Sequence, residues 1–458
     1  MGDNERSRRR FLRASGLLGA VGLAGCTSVL EETTATPPDV DDASDVEPLV
    51  PSETPTATAT SPESETAAAT ATATPEPSVT IGVSEPMDRQ RPDLPERPEP
   101  DWVVAADGSG DYESLGDAIR VAKSGETIAL RAGTYEITSD EQTDDGLQFV
   151  GAGRSETSLR VETEVLGPST HSFHGLTIPE FPELGGRTAG PQVRFYDCSV
   201  EPPLVPADDR RGTVTAVRSR FGSRVKTVAL EARGCLFEGS VNHRTVRVTD
   251  CLFSAGTGSA ITPREMERCV FESPADVSLT EGDRVADTVF SGVRVQTRGI
   301  TDTSALTNCR FRQPDGSTQV ARFDGPCDVT HSRFHGSCSP SCQSLFANVF
   351  EADGDVDHFI DGTGPTQLYA NAFVDGGIRI DSVWGPDRCD KESAAYLEPA
   401  GIGNYYSEFD ESDGNDDGVL DLPYPIPGGA KLTDRYPLAS ADLTQYLPLD
   451  TDFEACGY

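Results

Sequence analysis

From residue 198 onward the chain repeats one short phrase: a small or polar residue, any residue, then phenylalanine. It reads Ser219-Arg220-Phe221, Cys235-Leu236-Phe237, Cys251-Leu252-Phe253, Cys269-Val270-Phe271 and Thr288-Val289-Phe290. It continues as Cys309-Arg310-Phe311, Ser332-Arg333-Phe334, Asn348-Val349-Phe350 and Asn371-Ala372-Phe373, after a looser first copy at Cys198-Ser199-Val200. Successive phenylalanines lie 16 to 23 residues apart. Residues i and i+2 of a strand face the same way. The phrase therefore predicts short strands whose small residue and Phe both point inward. A unit of this size repeated along a chain marks a solenoid, and the variable spacing puts insertions into its turns. The Phe column should form the apolar spine of the core. The Cys/Ser/Thr/Asn column should form a packing and hydrogen-bond ladder.

The register decides how the cysteines are read. Cys198, Cys235, Cys251, Cys269 and Cys309 share the ladder position, so they are expected to be buried thiols, not nucleophiles. Cys327, Cys338, Cys342, Cys389 and Cys456 remain for one or two disulfides, whose connectivity the sequence leaves open.

Ahead of the repeat, Trp102–Tyr112 reads as two strand-like halves around a glycine turn. Ser114 and Asp117 form a capping-box pattern. Leu115, Ala118, Ile119 and Ala122 make one helical stripe, with Gly125 as its stop. Thr127–Leu130 reads as a strand and Gly133–Tyr135 as a turn. The stretch VVAADGSGDYESLGDAIRVAKSGETIALRAGTYEI resembles the opening of the pectin-lyase-like right-handed parallel β-helix superfamily, an opening that pectin methylesterases share. The resemblance implies that the short helix covers the first coil and blocks edge pairing. The expected fold is all-β: a right-handed parallel β-helix over residues 101–400, closed by a segment over 401–458.

The amino-terminal quarter has a different composition. Ser7-Arg8-Arg9-Arg10-Phe11-Leu12-Arg13 has the form of a twin-arginine export signal, and Ala14–Leu23 is too short an apolar run to span a bilayer. Leu23-Ala24-Gly25-Cys26 resembles a lipobox, which makes residues 1–25 a signal peptide and Cys26 the lipidated first residue of the mature chain. Residues 26–100 are rich in Thr, Pro, Ala, Ser and Glu and read as an extended disordered stalk. Together these features predict a protein held on the outer face of the cytoplasmic membrane through its lipid anchor alone.

Net charge is −37, and only 4 of the 38 basic residues are lysine. That balance argues against a nucleic-acid partner, which would be repelled. It suits a protein kept soluble in very high salt. We expect the chain to act as a monomer.

Three places could carry chemistry. Asp413, Asn415, Asp417 and Asp421 follow a D-x-N-x-D-G-x-x-D pattern whose oxygens and turn glycine suit Ca²⁺. Around it, Gly403–Ser407, Asp421–Tyr424 and Asp434–Leu438 resemble the closing segment of archaeal NosD-like surface β-helix proteins, with Tyr406 where that pattern has Trp and Leu420 where it has Gly. Soft ligands for copper are sparse, with Met87 and Met266 the only methionines beyond the signal. The second place is a basic patch. With Ser332 and Phe334 facing in, His331, Arg333 and His335 face out, and neighbouring coils bring Arg310 and Arg312 beside them. These residues could bind an acidic polysaccharide, with His331 and His335 on substrate. Alternatively Arg310, Arg312 or Arg333 could act as base in a Ca²⁺-assisted elimination, with Asp324 and Asp328 as nearby ion ligands. Zinc at Cys327–Cys342 is disfavoured by the same register. The third place is Asp355–Gly362, which resembles the aspartate-bearing motif of pectin methylesterases. His358 is inserted there, Asp361 replaces Phe, and only Asp357 carries over as a catalytic candidate. The fold does not choose among these. The first expectation is a surface protein that binds polysaccharide or another cell-envelope glycan. The alternatives are a polyuronate lyase or esterase, and a purely structural protein. An outward-facing cluster of carboxylates and Arg in a groove would favour an enzyme.

Overall fold

The computed structural model describes residues 89–443, apart from 139–145, 163–168, 183–191, 206–212, 255–258, 281, 299–303, 313–318, 326, 343, 352–355, 366 and 384–401. The export signal, Cys26, the stalk as far as residue 88, Asp355, Cys389 and Cys456 lie outside the described residues. No helix among the described residues is long and apolar enough to cross a membrane.

The described chain is a right-handed parallel β-helix. Its strands form a 20-stranded parallel sheet and a 14-stranded parallel sheet. One coil contributes two segments to the long sheet and one to the short. Val293–Arg298 and Ser304–Thr307 lie in the long sheet and Arg310–Arg312 in the short; the next coil repeats this with Gln319–Asp324, Cys327–Thr330 and Arg333–His335. Three earlier coils fuse the two long-sheet segments into single nine-residue strands: Val225–Arg233, Val241–Thr249 and Ser259–Glu267.

The repeated phrase is the short sheet. Phe221, Phe237, Phe253, Phe271, Phe290, Phe311, Phe334, Phe350 and Phe373 pair in register from coil to coil, and successive rings stack at 4.3 to 5.7 Å. Each stacked pair adds about 0.5–1.5 kcal/mol beyond the area it buries. Tyr406 continues the column 5.6 Å from Phe373, and Tyr424 closes it at 3.9 Å.

The small-residue column is the ladder that was expected. Cys198, Cys235, Cys251, Cys269 and Cys309 are free and buried. Their thiols point at backbone carbonyls, as Cys251 does toward Ala232 and Thr249. Further along, asparagine replaces cysteine and the bonding strengthens. Asn348, Asn371 and Asn404 hand one amide to the next and end on Asp434. Cys327, Cys338 and Cys342 are also buried free thiols, so no disulfide joins any two of these three.

Between the sheets the chain turns at one left-handed residue just before each ladder position. Asp197, Arg218, Asp250, Arg268, Asp287, Asn308, His331, Ala347 and Ala370 all hold φ of 48° to 57°, and Gly175 and Gly234 occupy the same corner at 60° and 59°. A non-glycine residue there costs roughly 1–2 kcal/mol. It is retained because the turn aims the ladder residue and Phe into the core. Corner side chains also pair along the stack: Arg268 Nε donates to Asp250 at 2.8 Å, and Asn308 bonds Asp287.

The first coil differs in detail from expectation. The helix spans Leu115–Val121 and buries Leu115, Ala118 and Ile119. Ser114 is its N-cap but makes no side-chain cap bond, and the Asp117 carboxylate pairs with Arg120 at 2.6 Å instead of completing a capping box. The helix stops at Val121, before Gly125. Gly133–Ile137 is a strand, not a turn. Residues 89–100, stalk by composition, run along the corner row. Gln90 N–H donates to Asp250 at 2.7 Å. Pro92 lies over Gly234 and Arg97 over Gly175, where an added Cβ would come within 2.4 and 2.5 Å of them.

Candidate functional site

The expected basic patch forms in part. Arg310 and Arg333 are register partners on the outer face of the short sheet, as are His335 and Glu351 on the next rungs. Arg310 Nε donates to His335 Nε2 at 3.0 Å. That bond requires Nε2 to be the bare nitrogen, which leaves the proton on Nδ1 facing Glu351 at 3.5 Å. Arg333 Nη1 meets the same carboxylate at 3.5 Å, and these three side chains are only 18–28% exposed. The patch is thus partly sealed around Glu351, which sequence reasoning had not placed there. Arg312 is exposed at the strand end. His331 does not join the row. It is a corner residue at φ 52°, edge-on to Phe346 at 5.7 Å, and burial lowers its pKa. Its left-handed turn takes it off the strand that alternation had assumed.

Asp357 is exposed at the edge of the long sheet, before the strand His358–Gly364. Asp324 and Asp328 also lie in long-sheet strands. The groups imagined together therefore divide between two sheets.

A second cluster, not anticipated, lies on the outer face of the long sheet. Register aligns Asp276, Arg294, Arg322 and Ser339 in one row and Ser278, Gln296 and Asp324 in the next. The two arginines converge on one carboxylate: Arg294 Nε donates to Asp324 at 2.9 Å and Arg322 Nε at 3.0 Å. Burial raises the Asp324 carboxyl, but the bonds from Arg322 and Arg294 outweigh it and hold its pKa below the usual value. The arginine side chains are 48% and 55% exposed, so their remaining N–H donors face outward. Asp276 is exposed two strands and one row from Asp324, about 12 Å away at the spacings of neighbouring strands and of alternate residues. The arrangement presents fixed cationic forks for an anion, beside an ionised carboxylate that can accept from hydroxyls.

The loop Asp413–Asp421 has hard oxygen donors of the kind Ca²⁺ takes, and it turns them on itself. Asp413 accepts from Asp417 N–H at 3.2 Å and Gly418 N–H at 2.8 Å. Asp421 accepts from Gly414 N–H at 3.0 Å, and Asn415 donates to Asp417 at 3.0 Å. Among the described residues no group of three or more His, Cys, Asp or Glu converges as metal ligands. The donor chemistry fits Ca²⁺, and binding would require these carboxylates to exchange backbone N–H groups for the ion.

No protein-family model matches the chain. It is similar over 103 residues, at 39% identity, to a pectinesterase/pectinesterase inhibitor of Solanum lycopersicum, a match covering 21% of this chain and 17% of that protein. Over 84 residues it is 34% identical to a pectinesterase of Daucus carota, covering 17% of this chain and 26% of that one. The chain thus spans about a quarter or less of the length of these relatives. Among solved structures, a carrot pectin methylesterase aligns at 13% identity over 52% of this chain and 84% of its own, with a TM-score of 0.21. The A-module of a mannuronan C-5 epimerase of Azotobacter vinelandii aligns at 13% identity over 58% and 89%, with a TM-score of 0.28.

Proposed function

We propose that this right-handed parallel β-helix, which is similar over part of its length to pectinesterases, binds acidic polysaccharide along the outer face of its long sheet. The observation that carries this is the Arg294–Asp324–Arg322 cluster. Two half-exposed guanidinium groups on a chain of net charge −37 are local attractors for a carboxylated polymer. Successive coils about 4.8 Å apart offer an extended chain a regular surface. In this reading residues 7–25 act as an export signal and Cys26 as a lipid anchor, so that the surface stands outside the cell on a stalk, in surroundings of high salt. Ca²⁺ on the Asp413–Asp421 loop is the structural ion of this reading.

A second reading, a polyuronate lyase or pectinesterase-like hydrolase, is favoured by one feature. Asp324 is ionised, flanked by Arg and neighboured by Gln296, which is the kind of set that acid–base and charge-stabilising chemistry draws on. One experiment separates the two. The full chain is mixed with a panel of acidic polysaccharides, with Ca²⁺ or with chelator, and polymer size and methanol release are followed. Comigration with unshortened polymer, lost in Arg294→Ala and Arg322→Ala, supports binding. Shortening or methanol release lost in Asp324→Asn supports the enzyme. No interaction with any polymer overturns both.

A further inference from the structure

A second basic recess lies at the corner of the coils. It is a shallow cavity of about 340 Å³ lined by Arg91, Arg154, Arg218, Arg220, Ser199 and Asp197, with Leu236 on its wall. Four guanidinium groups gather at one recess, with Asp197 on its lining and Glu201 and Glu238 beside Arg220, in a chain that carries twice as many acids as bases. They come from separate parts of the fold. Arg91 belongs to the segment that runs along the corner row, Arg154 to a turn, Arg218 to the left-handed corner at φ 54°, and Arg220 to the short sheet.

Their local pairing is unequal. Arg220 is held by Glu201 and Glu238, each at 2.6 Å, and Arg154 reaches Asp197 only at 4.0 Å. Arg91 and Arg218 meet no carboxylate among the described residues. Cationic side chains that converge without counter-charges repel one another, and an anion between them relieves that repulsion.

We propose that this recess binds one oxyanion-bearing sugar unit, a uronate or a sulfated sugar, of an acidic glycan. Arg91 and Arg218 grip the oxyanion, and Arg154 and Arg220 flank it. Ser199, whose hydroxyl donates to Glu201 at 2.8 Å and accepts from Arg220 at 3.2 Å, holds Arg220 at the wall, and Leu236 gives the sugar ring an apolar face. The volume is at the small end of ligand pockets, roughly 300–1,000 Å³, and suits a single ring. Because Arg91 is part of the wall, the occupied recess ties the 89–100 segment to the coil where the stalk departs. The site is on a different face from the Arg294–Asp324–Arg322 cluster and does not rest on the reading given to it.

The test uses the full chain with uronate trisaccharide, a sulfated disaccharide, a neutral trisaccharide and inorganic sulfate as probes. Binding is measured by calorimetry, and trypsin cleavage of the Arg89–Gln90 bond by mass spectrometry. Arg91→Ala removes an exposed side chain, and Arg218→Asn keeps a residue that tolerates the left-handed turn. We expect an acidic sugar to bind, to slow cleavage after Arg89, and to lose at least tenfold in affinity in the Arg91→Ala/Arg218→Asn double variant. Arg294→Ala should leave the protection unchanged. The proposal is overturned if no acidic sugar slows cleavage after Arg89, if the double variant binds as the parent does, or if inorganic sulfate alone binds as tightly as the sugars.

Discussion

Asn371→Ala tests whether the amide ladder holds the carboxy-terminal coils together or only fills space. The side chain is fully buried. Its Nδ2 donates to Leu345 O at 2.9 Å, Tyr369 O at 3.1 Å and Asn404 Oδ1 at 3.0 Å. Its Oδ1 accepts from Asn348 N–H at 3.0 Å and Asn348 Nδ2 at 3.1 Å. Some partners keep a second bond after truncation: Asn348 Nδ2 retains Val329 O, and Asn404 Oδ1 retains Asn371 N–H. Asn348 N–H loses the bond described for it, while Leu345 O stays in the ladder of its paired strand. A buried orphan costs about 1–3 kcal/mol, and the other lost side-chain bonds and the small cavity add to this. Against a total stability of about 5–15 kcal/mol, the variant should lose a large share. Ser332→Ala, one rung before Asn348, is the comparison. Its hydroxyl donates only to Thr330 O and accepts only from Cys309 N–H, and it should cost about half as much. The assay is urea unfolding followed by far-UV dichroism and by tyrosine fluorescence, since tyrosines cluster at the carboxy-terminal end and coil arrays can unfold in parts. A loss below about 1 kcal/mol for Asn371→Ala, or one no larger than for Ser332→Ala, would refute the ladder argument.

Four further outcomes follow from the same structure. Burial lowers the pKa of both His171 and His174 to about 4. Their folded values lie below the unfolded 6.5, so the unfolded chain binds more protons between those limits, and stability should fall as pH drops from 6.5 to about 4. The change is at most about 3 kcal/mol per histidine. His171 Nε2 has no acceptor, and His174 stacks on Tyr196 near Arg97; an acid titration with His174→Gln should show a shallower slope. Chelator should lower Tm if Ca²⁺ occupies the Asp413–Asp421 loop, by the equivalent of about 2.7 kcal/mol at a hundredfold excess over Kd, and Asp413→Ala should abolish the shift. Burial raises the thiols of Cys198 and Cys309 to about 12, so a thiol reagent should label neither in the native protein and both in denaturant; rapid native labelling would refute the inward register. Arg333→Ala should cost about 1–3 kcal/mol of stability by freeing Glu351 and spare polymer binding. Arg322→Ala should do the reverse, weakening binding about 10- to 100-fold with little change in Tm.

The short sheet was legible because its rungs from Phe221 to Phe373 each carry an inward aromatic and an inward small residue at i and i+2; its first four strands have Ile137, Val161, Ile178 and Val200 in place of the aromatic. Nothing comparable marks the long sheet. Arg294 precedes Phe311 by 17 residues, whereas Arg322 precedes Phe334 by only 12. Alignment on phenylalanine therefore cannot show that these two arginines are neighbours; only the backbone pairing does. The corners were hidden for a related reason. Asp197, Arg218, Asn308, His331 and Ala347 share a backbone conformation and no side-chain chemistry. Extending strand alternation through such a corner is what put His331 on the wrong row. Asn404 and Tyr406 do repeat the phrase at i and i+2, but with Tyr in place of Phe. The final rung was therefore readable in principle, and a pattern defined on Phe stopped at Phe373.

The two arginine clusters on the sheets show why exposure, not charge alone, locates the ligand face. In the short-sheet patch, one carboxylate faces Arg333 and His335, and Arg310 donates to the bare nitrogen of that histidine. Its electrostatics are largely spent inside the group, and an arginine tied to Glu351 is poorly placed to take a proton from a substrate. In the long-sheet cluster, two arginines share Asp324 through one nitrogen each; Arg294 Nη2 also donates to the Gln296 amide oxygen at 3.2 Å, and the half-exposed ends of both side chains are left for a ligand. The carboxylate there orients the forks. The corner recess carries the same logic further, since Arg91 and Arg218 have no carboxylate among the described residues to orient or neutralise them. An acidic chain that exposes under-compensated guanidinium groups at two places bears a repulsive cost at each. Relief of that cost by an anionic ligand is the physical link between the overall charge of this protein and the class of polymer proposed for it.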